Sequence, residues 1–547
     1  MPRTTDTAAD KPLLSHVSND IAPPIKHANL GALADDAASR FGERTLWESI
    51  DDGSTLSFRA FAQRTHALAA SLRNKGVSHG THVAVMLPNV EAFAITWFAL
   101  ARLGAVALPV NTQYTSRELA YVLDDGDAQW LVIDAQSLKV LEGIEGASRV
   151  PASRTIVHGP ATDGVGLDWH QLEREPSAPG SAPEVAGDAL MSIQYTSGST
   201  GFPKGCLLTH DYWLVLGAVR AIQGPAPKRI LLDKPLSYMG GVWRLLVALN
   251  VGATACIARK FTLSGMQQRI VDHDIDFFSV TDPVAKQPAH PGLAGRKFAW
   301  ISCSGLSGAV HRDIEDKFGA PVRELYGMTE TGSTLFMPFA DGHMSGSGSC
   351  GRPAPYRECR IVDPASGLDV PQGQAGELWV RGRGVLKGYY KREDATRAAF
   401  SGDWFRTGDL FQQDAQGYFY ILGRIKDSIR RSGENISSHE VETVLASVPG
   451  VAETAVIGVP DPFRGEEVKA FLILAPGLAP ADLPPEKVLS HLEGRLAAFK
   501  VPRYLEYVAD FPRTSSGKIA KQEMKKGLQD GQCFDRVSRE WVSHASK

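Results

Sequence analysis

Cysteine is scarce in this chain. The six in 547 residues (Cys206, Cys256, Cys303, Cys350, Cys359 and Cys533) form neither a C-x-x-C pair nor a zinc-like spacing. That excludes a disulfide scaffold and leaves buried thiols in a reducing compartment as the expectation. A surplus of one charge is also lacking. Basic side chains number 58 and acidic ones 61, a net charge of −3, which offers nucleic acid no bulk attraction. Long apolar runs are missing too. The most apolar stretch, Ala92 to Ala101, is broken by Arg102 and Gly104, well short of the ~20 residues that span a bilayer. The opening MPRTTDTAADK has no apolar core of the signal-peptide kind, and the closing Ala545-Ser546-Lys547 lacks the final Leu of the peroxisomal address. The expectation is a cytoplasmic protein, monomer or homodimer, with no transmembrane segment and no nucleic-acid partner.

What is present is an ordinary globular composition, 43% hydrophobic and 22% charged, long enough for three or four domain-sized units. Between Ser57 and Ile133 helical and strand patterns alternate. Helices are expected over Ser57–Asn74, Val90–Leu103 and Ser116–Asp124, and strands over Thr81–Leu87, Ala105–Val110 and Trp130–Ile133. Such alternation argues for parallel sheet covered on both faces. Beyond about residue 350 the pattern turns toward β, with Asp414-Ala415-Gln416-Gly417 reading as a hairpin turn. From about residue 426 a small α+β pattern begins, with Ser437 and Glu440 at capping-box spacing and Pro449-Gly450 stopping the helix. Helices are expected further on over Glu486–Phe499 and Lys518–Leu528. The expected fold class is α/β: an N-terminal tail over 1–29, a large multi-subdomain body over 30–425, and a small mobile C-terminal α+β domain over 426–547.

Two short matches fail on context. Gly346-Ser347-Gly348-Ser349-Cys350-Gly351 fits G-x-G-x-x-G, but Pro353 and Pro355 stand where a helix should begin. Gly76-Val77-Ser78-His79-Gly80 fits G-x-S-x-G, yet a helix precedes it and a strand follows, the reverse of a nucleophile elbow. The segment Thr196-Ser197-Gly198-Ser199-Thr200-Gly201-Phe202-Pro203-Lys204-Gly205 is different in kind. It lies between an apolar run and a segment, Cys206 to Val219, that reads as helical. Glycines let backbone N–H groups turn toward an anion, hydroxyls donate further hydrogen bonds, and lysine adds a point charge. A surface loop of no function is the bland alternative; the length and order of the motif weigh against it.

That segment resembles the phosphate loop of the acyl-adenylate-forming superfamily: acyl-CoA synthetases, adenylation domains and luciferases. The likeness continues in chain order. Tyr326-Gly327-Met328-Thr329-Glu330 resembles Y-G-x-T-E, Gly376-Glu377-Leu378 opens a G-E-L-x-x-x-G segment, and Trp404-Phe405-Arg406-Thr407-Gly408-Asp409 matches W-x-x-T-G-D. Gly423-Arg424-Ile425-Lys426-Asp427 is similar to the family hinge, and Pro512 to Ile519 to its terminal lysine motif. The likeness spans roughly residues 30 to 525 and implies an ATP-dependent acid–CoA ligase. A carboxylate and ATP would give acyl-AMP and pyrophosphate, then CoA would give acyl-CoA and AMP. The alternatives are a stand-alone adenylation enzyme loading a carrier protein and a catalytically silent nucleotide-binding protein.

By resemblance, Thr196, Ser197, Gly198, Ser199, Thr200, Gly201 and Lys204 hold the triphosphate of ATP, and Glu330 and Thr200 hold Mg²⁺. Thr329 contacts the α-phosphate, Tyr326 and Gly327 flank adenine, and Asp409 with Arg424 binds the ribose. Ser304 and Gly305 lie where the family lines the adenine and acyl pockets, although the local sequence departs from G-G-A. Lys518 is the adenylation lysine and Lys426 the hinge. Gly433 and Arg431 are candidates for CoA, with a solvated basic face as the alternative for Arg431. At the acyl end Tyr238 stands where the family often has His, and Tyr238, Met239, Gly240 and Trp243 are candidate lining residues. Their bulk favours a small or medium carboxylic acid over a long-chain one. Arg244 has two readings, a partner for a second carboxylate on the substrate or a surface or structural arginine; the second is favoured.

Overall fold

Strand and helix alternate from the N-terminus as the period of the apolar residues demands, and the helix termini carry the expected caps. The computed structural model describes residues 22–144, 150–160, 165–175, 183–196, 203–260, 262–285, 287–306, 308–431, 434–493, 495–496, 498–514, 518–526 and 531–543. The helix Phe58–Asn74 starts at Ser57, whose hydroxyl accepts the Ala60 N–H at 3.1 Å. The helix Glu91–Leu103 is buried from Ala92 to Leu103, which explains why it reads as apolar all round. Gly104, at φ 65°, closes it.

Among the described residues two compact units divide the chain. The first comprises residues up to Thr196, Lys204–Cys359 and Val380–Phe405; the second comprises Arg360–Trp379 and the chain from Arg406. The first unit holds two large sheets. One runs, in spatial order, Leu167–Asp168, Thr155–His158, Trp130–Asp134, His82–Met86, Val106–Pro109, Leu190–Thr196 and Lys204–Thr209. All its pairings are parallel except the last. The other has nine strands, and its central members Arg229–Leu232, Phe277–Val280, Trp300–Cys303 and Val322–Met328 are also parallel. Helices Phe58–Asn74, Glu91–Leu103, His210–Ala221 and Met239–Val251 pack into one core with strands of both sheets. Burial on both faces is what parallel sheets need.

One local expectation is overturned beside the phosphate loop. The segment after it is a strand, Lys204–Thr209, antiparallel to Leu190–Thr196, and the helix begins only at His210. Thr209 caps that helix by accepting the Tyr212 N–H at 3.2 Å. The loop is therefore the connection of a hairpin.

The C-terminal part of the second unit is a seven-stranded sheet built on the long hairpin Val451–Asp461 and Gly465–Leu474. Here the capping box is only half formed. Ser437 accepts the Glu440 N–H at 3.2 Å, but the Glu440 carboxylate is taken by Lys500 at 2.6 and 2.8 Å. The helix expected over Glu486–Phe499 stops at Leu492, because Glu493 adopts an extended conformation ahead of Gly494. The helix expected over Lys518–Leu528 starts late: Ile519 bridges to Arg513, and helix begins at Lys521.

Candidate active site

In the first unit the hairpin Leu190–Thr196 and Lys204–Thr209 places Thr196 opposite Lys204, and the Thr196 hydroxyl donates to the Lys204 carbonyl at 3.4 Å. Ser197, Gly198, Ser199, Thr200 and Gly201 lie outside the described residues. The Lys204 ammonium stands 5.0 Å from the ring centroid of Tyr389. The Tyr389 hydroxyl in turn donates to Glu330 Oε1 at 3.1 Å. Glu330 is 8% exposed, and its carbonyl accepts the Leu386 N–H at 2.8 Å. Lysine, phenol and buried carboxylate thus form one chain of contacts. Tyr389 carries no motif of its own, and the sequence gives no sign of it.

The strand Val322–Met328 brings Tyr326 and Gly327 to the same region of this unit, and Thr329 and Glu330 follow in its turn. A side chain at Gly327 would put Cβ 2.3 Å from the Gly332 carbonyl oxygen, so only glycine fits the crossing. The turn is held from below by buried Arg357, whose guanidinium donates to the Thr331 carbonyl at 2.7 and 3.0 Å.

Ser304 and Gly305 are exposed, and Gly305 has φ 72°. Their loop is tied down by Glu324, whose carboxylate accepts the N–H groups of Gly305 at 3.1 Å and Leu306 at 3.0 Å. Burial pushes the Glu324 carboxyl up to about 7, against those two bonds and the Cys303 thiol, which favour its charged form. Ligand atoms of Cys303, His311 and Glu324, all buried, lie within 4.8 Å of one another. Glu324 is a second residue the sequence does not advertise.

The stretch before helix Met239–Val251 is pinned from several sides. Asn89 donates to the carbonyls of Lys234 and Ala258 and accepts the Leu236 N–H at 2.8 Å. Gln194, two residues before Thr196, donates to the Ser237 carbonyl at 2.7 Å. Asn111 donates to the Tyr238 hydroxyl at 3.1 Å, and the Tyr212 hydroxyl donates to Met239 Sδ at 3.0 Å. The phosphate hairpin and the Tyr238–Gly240 segment are therefore coupled through side chains. Trp243 and Arg244 lie on the helix as expected, and Arg244 is 3% exposed, so it is not a surface arginine, while a structural role stays open.

The second unit carries the remaining candidates. Asp409 is 2% exposed and faces Arg424 across the hairpin Trp404–Gln413 and Phe419–Arg424, with Arg424 Nε 2.7 Å from Oδ1. Its approach is set by Thr407, which accepts the Asp409 N–H at 3.1 Å, and by Glu377, which accepts the Gly408 N–H at 3.0 Å. Lys426 lies in a short 3₁₀ turn, Ile425–Asp427. Arg431 is mostly buried against Glu467 at 2.7 Å, so the solvated-face reading does not hold; Gly433 lies outside the described residues. Lys518 is exposed, and its N–H donates to the Thr514 hydroxyl at 3.2 Å.

Comparison with known proteins matches the AMP-binding enzyme family over residues 34–390 and the AMP-binding enzyme C-terminal domain over 440–518. The chain belongs to the AMP-binding enzyme family. Like its relatives, this AMP-binding enzyme is an ATP-dependent, AMP-forming acid–thiol ligase. It is 32% identical over 508 residues to a sulfoacetate–CoA ligase of Cupriavidus necator, covering 90% of this chain and 97% of that one. It is 32% identical over 486 residues to a feruloyl-CoA synthase of an Amycolatopsis species, covering 87% and 94%. The ATP-bound crystal structure of MatB from Rhodopseudomonas palustris superposes with a TM-score of 0.81 at 27% identity, over 92% of this chain and 99% of that one. No helix among the described residues is long and apolar enough to cross a membrane, and the six cysteines are buried and form no disulfide.

Proposed function

We propose that this ligase activates a small carboxylic acid in two steps. A carboxylate oxygen attacks the α-phosphorus of ATP and pyrophosphate leaves; the CoA sulfur then attacks the acyl carbon and AMP leaves. Both steps bring anions together, so positioning and charge neutralisation carry the catalysis. Thr196, Lys204 and the intervening hydroxyl- and glycine-rich loop bind the triphosphate. Tyr326, Gly327 and Thr329 with Ser304 and Gly305 receive the adenosine and α-phosphate, Asp409 with Arg424 takes the ribose hydroxyls, and Lys518 supplies charge during adenylation. Mg²⁺ suits Glu330, a buried carboxylate beside the phosphate hairpin, since that cation is commonly held by one or two carboxylates plus substrate phosphates. When bound it neutralises phosphate charge, and Tyr389 orients the carboxylate that holds it. Lys426 serves as the hinge between the half-reactions, at the border of a functional C-terminal domain over 426–547. CoA as acceptor is favoured over a carrier protein by the CoA ligases among its relatives. A cytoplasmic setting fits the six free thiols.

The Lys204–Tyr389–Glu330 chain of contacts is the observation that supports this reading best. Acid-dependent exchange of pyrophosphate into ATP without CoA, and AMP with acyl-CoA once CoA is added, are the expected results. Glu330→Gln should lower exchange roughly 100-fold or more while leaving the fold intact. Exchange that needs no acid, or ADP in place of AMP, would remove the reading.

A further inference from the structure

Helix Met239–Val251 buries a charge that forms no ion pair with a carboxylate among the described residues. The guanidinium of Arg244 lies 4.5 Å from the ring centroid of Trp243, and that of Arg220, from the neighbouring helix His210–Ala221, lies 4.2 Å from the same ring. Both arginines are almost fully buried, at 3% and 6% exposure. Among the described residues neither is paired with a carboxylate: Arg220 donates to Gln223 at 2.7 Å, Arg244 donates to the Gly240 carbonyl, and the Nε of each has no partner there. Half-buried Lys234 lies nearby, its ammonium pushed down by burial, with Asp233 favouring its charge and Arg244 opposing it. Asp233 is the one carboxylate among the described residues whose charge reaches Arg244, and its Oδ2 is also without a partner. Two buried guanidiniums against one carboxylate is an unstable arrangement unless something else supplies negative charge.

The backbone at Gly240 leaves room for an added atom. A Cβ on Gly240 would meet nothing nearer than Lys234 Cβ at 3.9 Å and Arg244 Nη1 at 4.0 Å. Gly241, next in the chain, is the reverse: a Cβ there would fall 2.4 Å from the Pro235 carbonyl oxygen. Packing therefore demands glycine at 241 but not at 240, and φ at 240 is not in the left-handed region. The opening lies in the first turn of a 13-residue helix that Tyr238 enters without a side-chain cap, so the positive end of the helix faces the same place.

We propose that the acid carries a second anionic group, a carboxylate or a sulfonate, which Arg244 and Lys234 receive in the space beside Gly240. Trp243 is then a positioning residue that holds the guanidinium, and not a wall of an apolar pocket. The proposal rests on the ligase reading, and it concerns only which acid is taken. It also reverses the favoured sequence reading of Arg244.

The test is acid-dependent pyrophosphate exchange with probes matched in length: butanedioate and 3-sulfopropanoate, each against butanoate, and pentanedioate against pentanoate. The expected result is a kcat/KM at least ~100-fold higher for the doubly anionic member. The carboxylate and sulfonate arms distinguish the two groups. Arg244→Met, which keeps the stem against Trp243, should bring the doubly anionic acids down to the level of the singly anionic ones while ATP binding, measured by equilibrium dialysis, is kept. If that variant does not fold, Gly240→Leu decides, since it fills the space and removes no packed atom; it should lower the doubly anionic acids at least tenfold more than butanoate. Equal or better use of butanoate and pentanoate by the parent enzyme would overturn the proposal and leave the ligase standing. Exchange with no acid of any class would instead sink the ligase reading beneath it.

Discussion

Two groups in the first unit share a design, a cation beside an aromatic ring, and differ in what meets the charge. Lys204 stands over Tyr389, and the Tyr389 hydroxyl leads directly to the buried carboxylate of Glu330. Arg220 and Arg244 stand over Trp243, and among the described residues no carboxylate pairs with either. The first group holds both signs of charge before any ligand binds, as suits a site for a nucleotide that arrives with its own metal ion. The second holds one sign in excess. A group balanced within the protein acts alike on every acid, whereas an unbalanced one selects the acid that completes it.

The largest expected break in that comparison lies on the nucleotide side. Lys518→Ala should slow adenylation of every acid by roughly 1,000-fold, through loss of a charge that acts in the transition state, while transfer from supplied acyl-adenylate to CoA survives. Single-turnover assays of each half-reaction check it; equal loss in both would deny the lysine its role. Next comes the hinge. Lys426→Pro should restrict the backbone at the proposed hinge, at a cost of ~3 kcal/mol or roughly 100-fold in thioester formation, while pyrophosphate release stays near normal. Unchanged acyl transfer would remove Lys426 as the hinge.

Smaller effects sharpen the contrast. Tyr389→Phe removes one hydrogen bond to a charged group, about 1.5 kcal/mol, and should lower exchange roughly tenfold for singly and doubly anionic acids alike. A loss confined to one class of acid would place Tyr389 on the acid side instead. Glu324 gives an effect on stability. Burial raises its carboxyl from an ordinary 4.5 to about 7, so between those values the folded chain binds a proton that the unfolded chain has released. Its contribution is therefore fully present below about 4.5 and is lost as pH rises through about 7. Urea unfolding at pH 5 and pH 7 should show parent stability declining relative to Glu324→Gln over that interval; parallel curves would contradict the assignment.

The motifs that chemistry holds close together in the chain were legible in advance. Thr196 with Lys204, Thr329 with Glu330, and Asp409 are each marked by neighbours a few residues away. The caps at Ser57 and Thr209 and the turn at Asp414–Gly417 obey the same local logic. What escaped depends on distant partners. Tyr389 reaches Glu330 across 59 residues of chain, and Lys500 draws Glu440 out of its capping box across 60. The strand Lys204–Thr209 reads as helix because a short apolar run carries no period to separate the two. The burial of Arg244 escaped for a related reason: it is set by the two helices around Trp243, and no spacing records it.

The most direct test of the balanced-against-unbalanced contrast crosses one variant from each side with one pair of acids. Pyrophosphate exchange with butanedioate and butanoate is measured for the parent, Glu330→Gln and Arg244→Met. The account predicts that Glu330→Gln lowers both rates by the same factor and keeps their ratio, while Arg244→Met collapses the ratio at least ~100-fold and leaves the butanoate rate within a few-fold of the parent. A ratio that moves with Glu330, or stays fixed when Arg244 is replaced, would contradict it.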